Sequence, residues 1–156
     1  MRRKDRAITD PARIQEIFDR CDHLVLTMED GDYPYAVPLS FGYKKTGDQY
    51  TLYVHCAQEG KKMDLLKQNP NVGLCLARTE AILTADIACK YSARFESVIG
   101  TGKVTFLTGL EEKKEALTHI IQKYNDGAPI TFQEAAVEKT AVAAISLLSY
   151  EAKANF

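Results

Sequence analysis

No stretch of this chain approaches the roughly 20 consecutive apolar residues that cross a bilayer. Its charged opening, Met1-Arg2-Arg3-Lys4-Asp5-Arg6, leads into no apolar core of a secretory signal. The expected location is the cytoplasm, with no membrane partner. An excess of one charge sign is also missing: 20 Lys plus Arg stand against 21 Asp plus Glu, a net charge of −1. A near-neutral surface exerts no overall pull on nucleic acid, so any anion must be recognised locally. Cysteine is scarce and unpatterned. Cys21, Cys56, Cys75 and Cys89 include no C-x-x-C pair, which argues against zinc knuckles and dithiol redox motifs. Cys56 and Cys75 lie in apolar runs and are expected in the core as small reduced hydrophobes.

Familiar nucleotide and hydrolase signatures are absent as well. Gly100-Thr101-Gly102-Lys103 resembles the end of a phosphate loop, but position 97 is Ser and position 104 is Val, where Walker A needs Gly and Ser or Thr. G-x-G-x-x-G fails because position 105 is Thr. No G-x-S-x-G elbow offers a nucleophile. His23, His55 and His119 have no metal-ligand spacing, so no metal is expected. His119 reads as a surface or packing residue.

What is present is a globular composition. Of 156 residues, 46% are hydrophobic and 26% charged, a size that suits one domain over 1–156 with a sizeable core. Asp10-Pro11 reads as an N-cap and first helical residue, followed by Ile14, Ile17, Phe18 and Cys21 on one helix face. Strands are expected over 24–27, 35–43 and 50–56. The short turns between them imply an antiparallel meander. A helix over 60–69 stops at Pro70. Further strands are expected over 72–77, 82–87, 95–106 and 141–148, with a bend or bulge at Gly100 and Gly102. Thr108-x-x-Glu111 and Thr131-x-x-Glu134 read as capping boxes. The helix behind the first places Leu117, Ile120, Ile121 and Tyr124 on one face. Six or seven strands with peripheral helices make a mainly β fold, an antiparallel barrel with α additions.

Three features converge on chemistry. Along 34–43 the side chains alternate. Tyr35, Val37, Leu39, Phe41 and Tyr43 form a core face; Ala36, Pro38, Ser40 and Gly42 form a small one, against which a flat ring could lie. An edge strand blunted by Pro38 gives the same pattern. In the turn His55 to Lys62, Gly60 opens a helix whose first amides and two lysines suit a phosphate; two solvated lysines are the plainer reading. His55 shares a strand face with Thr51 and Tyr53, just ahead of that turn, though a lone strand histidine is usually structural.

The run Pro34-Tyr35 through Val37-Pro38-Leu39-Ser40-Phe41-Gly42-Tyr43 resembles the second-strand motif of the flavin-nucleotide-binding split-barrel family related to pyridoxamine 5′-phosphate oxidase, in its nitroimidazole-resistance-like branch. Leu52-Tyr53-Val54-His55, Ala57, Glu59-Gly60-Lys61-Lys62-Met63-Asp64-Leu65-Leu66, Asn69-Pro70 and Val72 are similar too. So are Cys89, Tyr91, Arg94-Phe95, Ser97-Val98-Ile99-Gly100 and Gly102, and the opening Arg2-Arg3-Lys4-Asp5-Arg6. The resemblance implies a split β-barrel, a homodimer, and FMN (or FAD) near the subunit interface. Carried over, Lys61 and Lys62 hold the phosphate; Pro38, Leu39 and Ser40 line the isoalloxazine; His55 and Ala57 flank the ring and ribityl chain; Arg94, Ser97 and Val98 border the pocket from the partner subunit or the same one. At position 40 the branch often carries Asn where this chain has Ser40. Residues for a vitamin B6 substrate have no match.

The implied activity is that of a flavin-dependent oxidoreductase acting on small aromatic or nitro compounds such as 5-nitroimidazoles, with His55 as catalytic candidate because imidazole titrates near neutrality. A non-catalytic flavin sensor or carrier is the alternative; a haem-binding split barrel with His55 as axial ligand is a minor one.

Overall fold

The computed structural model describes residues 2–156; Met1, the first residue of the charged opening and of the expected domain, lies outside the described residues. After a single 3-10 turn at Lys4–Arg6 come β1 (Ala7–Ile8), α1 (Pro11–Arg20), β2 (Leu24–Met28), β3 (Tyr35–Leu39), β4 (Phe41–Thr46) and β5 (Gln49–Cys56). Then follow α2 (Lys61–Gln68), β6 (Asn71–Leu83), β7 (Ser92–Phe106), α3 (Leu110–Tyr124), α4 (Glu134–Glu138) and β8 (Ala141–Asn155). Asp10 caps α1 as its sequence suggests, accepting the Ala12 amide at 2.9 Å, with Pro11 in the first turn. Among the described residues no helix is long and apolar enough to cross a membrane.

The strands form one antiparallel sheet in the order β3-β2-β6-β7-β8-β5-β4, with β1 paired to the end of β8. Its two edge strands, β3 and β4, are consecutive in the chain and joined by Ser40 alone. The sheet therefore curls until its edges meet without pairing, which is a split barrel rather than a closed one. Side chains at alternate positions fill the interior: Leu24, Leu26, Leu52, Leu74, Leu76, Val98 and Ile145 are buried. Each such residue contributes about 1.5–3 kcal/mol by leaving water. From α1, Ile14, Ile17 and Phe18 join the same core, and the Phe18 ring stacks on Tyr50 at 4.8 Å.

On the outside, α3 lies against β4 and β5. Gly42 permits this, because a Cβ there would run into the His119 backbone. Beside it Tyr53 and His119 stack with centroids 5.4 Å apart, so His119 is a packing residue. Two lysines of α3 satisfy carbonyls that end other helices. Lys113 donates to the carbonyls of Glu138 and Thr140 at 3.3 and 3.0 Å. Lys123 donates to those of Phe18 and Asp19.

Several sequence expectations are corrected. The strand over 35–43 is two strands. Inward alternation continues from Tyr35 to Tyr43, but β3 pairs with β2 whereas β4 pairs with β5. The expected meander of three is thus two hairpins at opposite ends of the sheet. No strand covers 82–87: Ile82 and Leu83 end β6, which continues past 77 through a register shift between Thr79 and Ala81. The bulge expected at Gly100 and Gly102 is present, as a shift between Thr101 and Gly102. Neither capping box forms. The N-caps are Gly109 and Gln133, without side-chain bonds, because each helix starts later than Thr108 or Thr131 requires. Cys56 and Cys75 are half-buried: Cys75 points outward between the inward Leu74 and Leu76, and Cys56 ends its strand, its thiol 3.6 Å from the Met63 sulfur. On α3 the buried stripe is Lys113, Ala116 and Ile120, leaving Tyr124 exposed and Leu117 and Ile121 half-buried.

Candidate functional site

The split between the edge strands β3 and β4 positions the candidate residues. Every residue of β3 pairs with β2, and among the described residues no strand pairs with its other edge. That edge presents backbone groups to whatever occupies the split. The β4–β5 register, with Phe41 opposite Val54, brings Ser40 level with His55 one step further on. Both line a depression of about 510 Å³. Among the described residues the Ser40 hydroxyl and the His55 ring make no hydrogen bond.

Past His55 the strand ends at Cys56, and Ala57 to Gly60 turn into α2. Gly60 has φ of 116°, a conformation glycine takes without steric cost. Gln58 anchors the turn by donating to the Glu138 carbonyl at 2.8 Å. No side chain caps α2, so the amides of Lys61 and Lys62 have no acceptor in the helix, and the positive end of the helix dipole is there. The two lysines differ. Lys61 is ion-paired with Asp30 of the β2–β3 turn and lies over the Tyr35 ring, 4.9 Å from its centroid. Lys62 is half-buried, and its side chain makes no ion pair or hydrogen bond among the described residues. Burial, and then the nearby Lys62 charge, lower the His55 pKa. Its imidazole is therefore neutral at pH 7, with one N–H to donate. Burial raises the Cys56 thiol pKa, partly opposed by Lys62, so Cys56 is no thiolate nucleophile.

Of the expected site residues, Ser40 and His55 line one depression; Ala57 follows His55 in the turn, Lys61 and Lys62 open α2, and Pro38 and Leu39 end β3. Arg94, Ser97 and Val98 do not join them. Leu39, Leu24, Leu76 and Val98 share one register row. Three strand spacings of about 4.8 Å separate its ends by roughly 14 Å. Val98 points into the core, Ser97 is buried, and Arg94 is exposed near the start of β7. The helical wall beside His55 went unread in the sequence: Ile120 and Ile121 of α3, with Pro129 and Phe132 beyond it, flank the same depressions. The available signal was the excess of apolar residues on α3 over what one buried stripe needs.

An open antiparallel barrel, with a cleft between its unpaired edges and two lysines at a helix start beside it, defines a split-barrel ligand-binding class. The chain belongs to the pyridoxamine 5′-phosphate oxidase family, which matches residues 10–154. Among solved structures, a Bacteroides thetaiotaomicron VPI-5482 protein named for 5-nitroimidazole antibiotic resistance is 32% identical. It has a TM-score of 0.79, over 95% of this chain and 86% of that one. The flavocytochrome Anf3 from Azotobacter vinelandii superposes with a TM-score of 0.81 at 20% identity, over 100% and 72% of the two chains. An FAD and haem binding protein from Mycobacterium smegmatis gives 0.80 at 15% identity, over 96% and 73%. The latter two speak for the fold alone. No curated protein matches the chain.

Proposed function

We propose that the chain is an FMN-binding oxidoreductase, acting as a homodimer, that reduces small aromatic or nitro compounds such as 5-nitroimidazoles. One observation carries the reading: Ser40 and His55 share a depression next to a free strand edge, Lys62 follows in the first turn of α2, and none of the three side chains has a hydrogen-bond or ion-pair partner among the described residues. An accessible hydroxyl, an accessible imidazole and a half-buried ammonium suit a ligand that is at once flat, hydrogen-bonding and anionic. The family membership supports the same ligand, and the nitroimidazole-resistance relative supports the acceptor class. When bound, a flavin supplies hydride and electron chemistry that side chains lack.

The chain's own residues bind, orient and move a proton. Lys62 and the first amides of α2 hold the phosphate, and Lys61 joins them by releasing Asp30. The free edge at Pro38, Leu39 and Ser40 faces the ring, and Ala57 flanks the ribityl chain. His55, neutral at pH 7, holds a proton on its imidazole at the ring end and donates it to the reduced acceptor. Arg94, exposed near the start of β7, completes the pocket from the partner subunit, and Ser97 and Val98, buried behind it in the same strand, support that edge. Support for that arrangement lies on the outward face. Pro38, Val25, Cys75 and Ile99 share one register row across β3, β2, β6 and β7, and Ile99 is 59% exposed. A second copy seated on this apolar row would carry its own β7 toward the β3 edge.

The test is stopped-flow spectroscopy of the FMN-loaded protein. Reduced flavin should reoxidise faster on mixing with a nitroimidazole under exclusion of oxygen, and the nitro absorbance should fall in step. Bound flavin that is never reoxidised by nitro or aromatic acceptors would instead mark a carrier or sensor.

A further inference from the structure

The depression at Ser40 and His55 extends along α3 as a trough, well beyond the two residues that the flavin-binding reading uses. Two depressions of about 510 and 540 Å³ share His55, Ile120, Ile121 and Thr131, so they run into one another along α3. At about 30 Å³ for each water-sized group, the first alone holds roughly 17 such groups, more than one ring with small substituents fills. Leu117, Ile121, Pro129 and Phe132 give it apolar walls. Several other polar groups on its lining are already satisfied. The Tyr124 hydroxyl accepts the Phe41 amide at 3.1 Å and donates to the Asp22 carbonyl at 2.5 Å. The Asn125 side chain closes on Gly127 and Ala128. Two donors stand at one end, the His55 imidazole and the Ser40 hydroxyl, with Thr131 and Gln133 further along. A ligand matching this lining has an apolar body and one head that accepts hydrogen bonds.

We propose that this trough is the acceptor site, and that it selects elongated acceptors. The ligand is an aromatic ring bearing a carbonyl or nitro oxygen, which His55 and Ser40 hold. Its aliphatic chain lies along α3 between Ile121 and Phe132. The role of the head as electron acceptor rests on the flavin reading; binding of the chain does not.

Calorimetry on the full chain, without flavin and again with FMN, tests this with two probe series. Alkyl nitroimidazoles and alkyl naphthoquinones, each with methyl, propyl or pentyl chains, separate a nitro head from a quinone head. Each methylene entering the trough should tighten binding about fourfold. Methyl to pentyl should then gain roughly two orders of magnitude. Ile121→Asp puts a charge on the wall, and Ala128→Trp fills the trough from its exposed rim. Both should flatten the chain-length dependence, with thermal melting as the check on folding; either variant suffices if the other fails to fold. A gain that is present in the parent and lost in the variants, with either head, supports the trough. Absence of the gain in the parent overturns it, and so does a gain that persists undiminished in folded variants, which is partitioning elsewhere. FMN binding without chain-length dependence removes the trough and leaves the flavin reading intact. Chain-length dependence without FMN binding does the reverse.

Discussion

Replacing Lys62 by Ala should weaken FMN by roughly ten- to 150-fold and leave riboflavin nearly unchanged. A hydrogen bond to a charged group contributes about 1.5–3 kcal/mol net, and each 1.4 kcal/mol is tenfold in affinity. Lys62 delivers that range in full, because it is half-buried and has no ion pair to surrender. Lys61 delivers less. Its side chain is 54% exposed and paired with Asp30, and leaving an exposed pair costs up to about 1 kcal/mol. Lys61→Ala should therefore weaken FMN less than Lys62→Ala, and Asp30→Asn should tighten it by up to about fivefold. The double variant should lose roughly two to four orders of magnitude, allowing for non-additivity. The assay is parallel titration of FMN and riboflavin into parent and variants, followed by flavin fluorescence. Equal loss of both ligands would mean a folding defect. An unchanged FMN affinity in Lys62→Ala would refute the phosphate site at the start of α2.

Three further outcomes are expected. His55→Gln should keep FMN affinity within a few-fold and slow acceptor reduction by about 10²-fold or more; loss of flavin from the folded variant would make His55 a binding residue instead. Gly42→Ala forces a methyl into the His119 backbone and should destabilise the chain by about 1–3 kcal/mol, read from the denaturant midpoint; an unchanged midpoint would mean that α3 is free to shift. Burial leads in lowering the pKa of both His55 and His119 below the ordinary 6.5. The unfolded chain therefore holds more protons between each folded pKa and 6.5, so this stability is present above 6.5 and lost as pH falls through that window. His55→Gln should reduce the loss, and a variant losing as much as the parent would contradict the assignment.

The split barrel was legible because alternation is a local property. Leu52, Val54, Leu74 and Leu76 each announce an inward face two residues from the next. What alternation does not encode is the neighbour. Tyr35 to Tyr43 reads as one strand because the period never breaks, yet pairing changes sides at Ser40, and only the closure of the whole sheet dictates that. The same limit hid the separation of Val98 from Leu39, since row positions follow from pairing across four strands. Lys61 and Lys62 were recognisable as a pair; that Asp30 takes one and leaves the other free depends on where the β2–β3 turn lands. The wall at Ile121 and Phe132 escaped notice because an apolar helix face reads as core until the strand beneath it is known.

We propose that this chain holds a flavin in a site completed by a second copy. The most direct test is gel filtration of the FMN-saturated protein with simultaneous light scattering and a full visible spectrum. The account predicts one flavin per chain, co-eluting with a dimer and carrying the two-banded flavin spectrum. Flavin eluting free of the protein, or retained stoichiometrically by a monomer, would contradict it.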